Sequence, residues 1–208
     1  VAAAPPDSLT LKRWCFPVVG CVGYRGYYDE AQARALAAHL QTDEGLEVRV
    51  YGVPADSTLG WLNWAGGDPL LSTFIRYPEG ELARMIFHEL AHQQVYVSGD
   101  TLFNESYASA VEQLGVQKWL ASEASEAARR EYAVFDARRR AFRELSRETR
   151  RELSEIYAQK FALAKDPSAL AALKSEAMER FRQRYATLKA GWAAAGTPFN
   201  GYDPWVAQ

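Results

Sequence analysis

The chain lacks most of what would commit it to a familiar chemistry. Its 208 residues include only two cysteines, Cys15 and Cys21, too few for a disulfide framework or a cysteine-built zinc site. Along one extended strand their sulfurs would lie beyond bonding reach, and only a reversal at Pro17 and Gly20 would bring them together. The reading favours unpaired thiols. Charge of one sign is missing too: 24 basic against 26 acidic residues give a net charge of -2, which supplies no field for nucleic acid or anionic lipid. Nucleic acid is therefore not an expected partner. The apolar stretch WCFPVVGCVGY (14–24) is about half of a bilayer span and is broken by Pro17, Gly20 and Gly23, so no transmembrane segment is expected. No basic-then-apolar leader is visible, and compartment is not read from the start of the sequence. Histidine is scarce at three residues, so any histidine metal site must be economical.

What is present describes a folded chain, with 48% hydrophobic and 24% charged residues. Residues 1–121, which hold all the cysteine and histidine, read as a mixed domain. Strands are expected at 14–22, 47–53 and 70–77, with a helix from about 28 to 41 and a loop from 54 to 69. Helices at 81–97 and 103–120 are separated by the turn Ser98-Gly99-Asp100-Thr101 and can pack as an antiparallel pair. On the first of them, Leu82, Ile86, Leu90 and Val97 form an apolar stripe expected to face a core.

Residues 122–192 read as a long antiparallel helical hairpin broken at Asp166-Pro167. One arm carries Phe135, Phe142, Ile156 and Leu163 at heptad-related positions. The other repeats apolar residues at three and four from Leu170 to Trp192. The hairpin holds 16 basic and 11 acidic residues, and alternation such as Arg147-Glu148 and Arg151-Glu152 reads as a solvated face laced by i,i+4 pairs. Residues 193–208 form a tail, with Trp205 its expected anchor on the hairpin. The fold class expected is α+β: a small sheet, an active-site helix and the hairpin.

The chemistry concentrates in FHELAHQ, where His88-Glu89-Leu90-Ala91-His92 is an HExxH pattern inside an expected helix. Residues four apart project to the same side, so both imidazoles can take two positions on one metal ion. Glu89 flanks the first ligand and is placed as general base. A third ligand must come from elsewhere. A three-histidine site would need His39. A site of two histidines and a carboxylate is met by Glu105 in TLFNESYASAVEQLG, since a short turn lets it face the histidines across the helix pair. Glu112 or Asp100 could then orient a zinc-bound imidazole through its other nitrogen.

FHELAHQ followed by FNESYASAVEQLG resembles the HExxH and NExxA pair of the glutamate-type zinc peptidases. The second piece is similar to the NEGFASYVE stretch of the aminopeptidase N family, although the spacing is shorter here. CFPVVGCVGYRGYY, GVPADSTLGW, DPLLSTF, FHELAHQ and FNESYA together resemble a bacterial family of predicted aminopeptidases. The likeness covers residues 14–121 closely and the hairpin and PFNGYDPWVAQ more loosely, with Asp56 standing where that family has tyrosine. It implies a zincin-like fold and one zinc ion held by His88, His92 and Glu105. It also implies that the chain is an internal fragment of a cell-envelope protein, periplasmic or lipid-anchored.

The implied reaction is hydrolysis of a peptide by a zinc-activated water, with aminopeptidase specificity the leading expectation. Leu71, Ser72, Thr73 and Phe74 would pair with an extended substrate as a strand. Tyr24, Tyr27, Tyr77 and Arg76 are candidates for stabilising the oxyanion, and Asp56, Asp68 and Glu112 for holding an α-ammonium group. The alternatives are a zinc endopeptidase and a non-catalytic zincin-fold scaffold. Oligomeric state is not readable.

Overall fold

The structure is a computed structural model, and it describes residues 1–16, 20–52, 77–163 and 166–207. Its described elements are mostly helical. Strand β1 is Ala2–Ala4, β2 Trp14–Phe16, β3 Gly20–Val22 and β4 Glu47–Arg49. Helix α1 is Glu30–Thr42, α2 Glu79–Gln94, α3 Thr101–Ser122, α4 Glu126–Ala158, α5 Pro167–Ala194 and α6 Asp203–Val206. The expected strand at 70–77 and the loop at 54–69 lie outside the described residues, apart from Tyr77. The chain divides into two compact units, one of residues 1–12, 24–50 and 137–208, the other of residues 13–23 and 51–136.

In the first unit β1 and β4 pair antiparallel with Ala3 opposite Val48, both buried. Asp29 caps α1 by accepting from the Ala31 N–H at 2.8 Å. The helical hairpin is present, and α4 and α5 run antiparallel: Arg184 pairs with Glu148, and one α5 turn earlier Arg180 Nε donates to Glu152 at 3.0 Å, one α4 turn later. Leu145, Phe181, Tyr185 and Val206 form its core, with Phe142, Met178, Leu188, Trp192 and Tyr202 packed around them. The three-and-four repeat of the second arm therefore marks the true buried face, while Leu163 falls beyond the end of α4. Trp205 is not the anchor expected of it. It is 53% exposed, and the tail is held by Val206 and by Tyr202, whose ring stacks on Phe142 with centroids 4.1 Å apart.

The expected i,i+4 pairing is present at Glu126–Arg130 and Glu176–Arg180 but not at two other acidic residues. Glu148 and Glu152 reach across to α5 rather than along α4, because helix packing brings α5 arginines to that flank.

In the second unit β2 and β3 form an antiparallel hairpin with Cys15 opposite Cys21, and the two are joined by a disulfide. The expectation of unpaired thiols is thus overturned. The stretch is not one strand but two facing strands, which puts both sulfurs on one cross-strand pair.

Helices α2 and α3 pack as the expected antiparallel pair, and the expected stripe on α2 is covered only in part, with Leu82 and Ile86 half-buried. The buried residues of α2 are Gly80, Met85, Ala91 and His92, while Leu90 is 48% exposed and Val97 lies beyond the helix. The histidine face meets Glu105 and Glu112 of α3. Two glycines permit the approach of their neighbours: a Cβ on Gly115 of α3 would sit 2.6 Å from the Phe87 ring, and one on Gly80 would sit 2.7 Å from Tyr132.

Candidate metal centre

The site forms where the α2 histidines meet α3. On α3 the buried positions are Asn104, Ala108, Glu112 and Val116, a stripe at four-residue spacing along the side packed on α2. Two of the four are polar, and each is buried because it has a partner.

Asn104 holds the connector between the helices. Its Oδ1 accepts from the Val97 N–H and its Nδ2 donates to the Val97 carbonyl, both at 2.8 Å. An amide is the side chain that can both accept from and donate to one residue's backbone. The same connector is fastened from its other side. Arg13, just before β2, donates to the carbonyls of Cys21 at 2.7 Å and Gly99 at 3.0 Å. Gly20 has φ +79°, and a Cβ there would lie 2.4 Å from the Gly99 nitrogen. The disulfide hairpin is thereby seated on the turn between the helices.

Held this way, α3 brings Glu105 to the histidines. One carboxylate oxygen lies 3.4 Å from His88 Nε2 and the other 3.7 Å from His92 Nε2. The two imidazoles stand nearly perpendicular, at 83° with ring centroids 4.9 Å apart. One ligand atom from each of the three residues falls within 4.8 Å of the others, so the group could hold a metal ion. The spacing is chemically apt: a tetrahedral ion with bonds of about 2.0–2.2 Å separates its ligand atoms by about 3.3–3.6 Å.

Behind the histidines runs a chain of charges. His88 Nδ1 donates to one oxygen of Glu112 at 2.9 Å, and the other oxygen accepts from Arg84 at 2.7 Å. Glu112 is only 10% exposed, and Arg84 at 20% also meets Glu81 at 3.4 Å. The hydrogen bond to Glu105, followed by that to Glu112, pushes His88 up to about 9. Burial raises Glu112, but His88 and Arg84 outweigh it and the carboxyl ends below its ordinary range. Glu105 is lowered chiefly by its hydrogen bond to His88, and His92 is lowered by burial. The buried His92 Nδ1 has no hydrogen-bond partner among the described residues.

Expected site residues are distributed unevenly. His88, His92, Glu105 and Glu112 come together. Glu89 lies on α2 close enough for its charge to raise His88. Asp100 is not the imidazole-orienting carboxylate, because it caps α3 by accepting from the Phe103 N–H at 3.0 Å. Glu112 is not free to hold an ammonium group, since both of its oxygens are engaged. His39 is on α1 and faces Asp43 at 2.7 Å. Tyr24 and Tyr27 belong to the other unit. Leu71, Ser72, Thr73, Phe74, Asp56, Asp68 and Arg76 lie outside the described residues. Three residues were not singled out from sequence: Arg84, Asn104 and Tyr96, whose phenol is raised by burial and by the charge of Glu105. The asparagine stood in the quoted FNESYA motif. Arg84 and Tyr96 carried no pattern that would distinguish them.

The whole chain, residues 1–208, matches the family model described as "Putative aminopeptidase". The chain belongs to that family. No curated protein and no solved structure matches it. Membership supports a peptidase and a peptide substrate. No described helix is long and apolar enough to cross a membrane.

Proposed function

We propose that the chain is a zinc-dependent metallopeptidase of the glutamate type, with a zincin-like fold around its metal centre and aminopeptidase specificity. The observation that carries the reading is the convergence of His88, His92 and Glu105 from two helices onto one point. Two imidazoles and a carboxylate are the donor set of catalytic zinc sites, which keep a fourth position for solvent. When bound, the ion supplies a Lewis acid and a water of lowered pKa.

The remaining roles belong to the protein. Glu89 accepts the proton of the attacking water and returns it to the leaving amine nitrogen. Glu112 holds the Nδ1–H tautomer of His88, which leaves Nε2 to the ion, and Arg84 holds Glu112. Tyr96, a neutral phenol whose pKa burial and the charge of Glu105 raise further, is assigned as a donor to a developing oxyanion. The Cys15–Cys21 disulfide supports a cell-envelope location, because cytosolic thiols are normally kept reduced.

The test joins metal analysis to peptide hydrolysis. Glu89→Gln is expected to retain about one equivalent of zinc while turnover of unblocked peptides falls by at least about a hundredfold. Unchanged turnover removes Glu89 as the base. Cleavage of N-acetylated peptides at the same rate turns the assignment to an endopeptidase.

A further inference from the structure

The outward face of α4 carries a feature that the metal centre does not use. Arg143, Arg147, Arg150 and Arg151 are exposed and stand at i, i+4, i+7 and i+8, so they share one side of the helix. Leu145, Thr149 and Ile156 are buried on the opposite side. Two of the acidic residues that alternate with these arginines in sequence are spent elsewhere, Glu148 on Arg184 and Glu152 on Arg180, both from α5, while Glu144 stays at the face. Among the described residues none of the four arginines has an ion-pair or hydrogen-bond partner. The packing of the hairpin has thus converted an alternating sequence into a cationic face.

That face is not flat. Arg147, Arg150 and Arg151 line a slot of about 610 Å³ together with Leu9, Ser154 and Glu144. We propose that this slot is a docking site for an extended acidic peptide segment of a partner protein. Three observations select that occupant. All nine cationic residues of α4 are arginine, and the planar guanidinium fork matches a carboxylate with two hydrogen bonds. Successive turns space Arg143, Arg147 and Arg151 by about 6 Å, close to the roughly 6.8 Å between same-side residues of an extended chain. Leu9 adds apolar surface to the lining, which suits a peptide with alternating apolar side chains.

The proposal is independent of the metal centre, and its test uses the full chain. The probe is a fluorescein-labelled peptide of about ten residues alternating glutamate and valine, followed by fluorescence anisotropy at rising salt. Saturable binding that weakens with salt is expected, with no binding of the glutamine-for-glutamate peptide. Arg147→Gln combined with Arg151→Gln should weaken binding by about tenfold. The pair Arg130→Gln and Arg182→Gln, whose arginines already face Glu126 and Glu179, makes the same change in net charge and should shift it by less than about twofold. Equal losses in both double variants would reduce the effect to overall charge and overturn the site. So would the absence of saturable binding. Displacement of the peptide by a short single-stranded oligonucleotide or by phosphatidylglycerol vesicles at lower charge concentration would overturn the choice of occupant.

Discussion

Replacing Arg84 by methionine isolates the outermost link of the charge chain behind His88. Methionine keeps most of the side chain's length and apolar stem but removes the guanidinium. Glu112, 10% exposed, then keeps one partner instead of two, and its oxygen 2.7 Å from Arg84 faces nothing in exchange. Stranding one member of a buried ion pair costs about 3–5 kcal/mol. Arg84 is 20% exposed and its end of the pair is partly hydrated, so the expected loss of stability is smaller, about 2 kcal/mol. The loss should be read from denaturant unfolding of the metal-free protein.

The second consequence lies at the ion. With Arg84 gone the Glu112 carboxyl loses a group that lowers it, and protonation of Glu112 would remove the acceptor that fixes His88 Nδ1–H. Substitutions of groups that orient a ligand typically cost 10–100-fold in metal affinity. Arg84 acts one residue further out, and the weakening expected is about tenfold, measured by zinc competition with a chelator of known affinity. Glu112→Gln should cost more, and Arg84→Lys, which restores a charge without the fork, should recover part of the loss. A double variant lacking both groups should lose less than the sum of the two single losses, because each removes the same link. If Arg84→Met destabilises the fold yet leaves zinc affinity within twofold, the arginine is a structural partner of Glu112 and nothing more.

In the ion-free protein His88 is pushed up to about 9, so its stabilising contribution is complete below about pH 6.5 and is lost as pH rises through 9. Zinc competes for that proton, so its affinity should climb about tenfold per pH unit towards pH 9 and then level off; a flat profile from pH 6.5 to 8.5 refutes this. Gly115→Ala should destabilise by about 1–2 kcal/mol although alanine is the better helix former, because the new methyl meets the Phe87 ring at 2.6 Å. A more stable variant in denaturant unfolding would show that the ring yields. Asn104→Asp should cost about 2–3 kcal/mol and loosen zinc, since a carboxylate cannot donate to the Val97 carbonyl and instead faces it. Retention of full stability and affinity would make that hydrogen bond dispensable.

The parts of the site legible in the sequence are those fixed by local geometry. His88 and His92 share a helical face wherever the helix is placed, and a short turn after α2 leaves Glu105 few places to go but back across the pair. Glu112 follows from Glu105 two turns along the same face. Arg84 was not legible because nothing in one helix states which carboxylate of another it will meet. Its partner is 28 positions away, and that meeting depends on α2 and α3 packing with the histidines between them. The same dependence explains why the apolar stripe of α2 is only partly buried. Leu82, Ile86 and Leu90 satisfy the periodicity of a buried stripe, but Met85, Ala91 and His92 are among the residues most deeply buried. Periodicity identifies a helix more reliably than it identifies which side is occupied. The hairpin charges repeat the lesson, since Glu148 and Glu152 could have paired along α4 and were instead taken by α5.

A site built from two helices has a weak point at the turn between them, and much of the second unit can be understood as a response to that. His88 and His92 are fixed relative to each other by the α2 backbone, whereas the placement of Glu105 depends on the six residues from Val95 to Asp100. Among those residues Val95 and Val97 are exposed and Gly99 adopts a positive φ of +81°. Beyond the turn's own hydrogen bond from the Asp100 N–H to the Val97 carbonyl, further constraints tie it to its surroundings. Asn104 pins Val97 from within, Asp100 starts α3, and Arg13 grips the Gly99 carbonyl from the disulfide hairpin. The hairpin could not do this as a free two-stranded ribbon, which is marginal in water. The Cys15–Cys21 bond removes unfolded-state entropy from its short loop, worth about 2 kcal/mol by the chain-entropy relation. The disulfide thus acts on Glu105, the proposed third ligand, without touching it, through a strand, an arginine and a carbonyl.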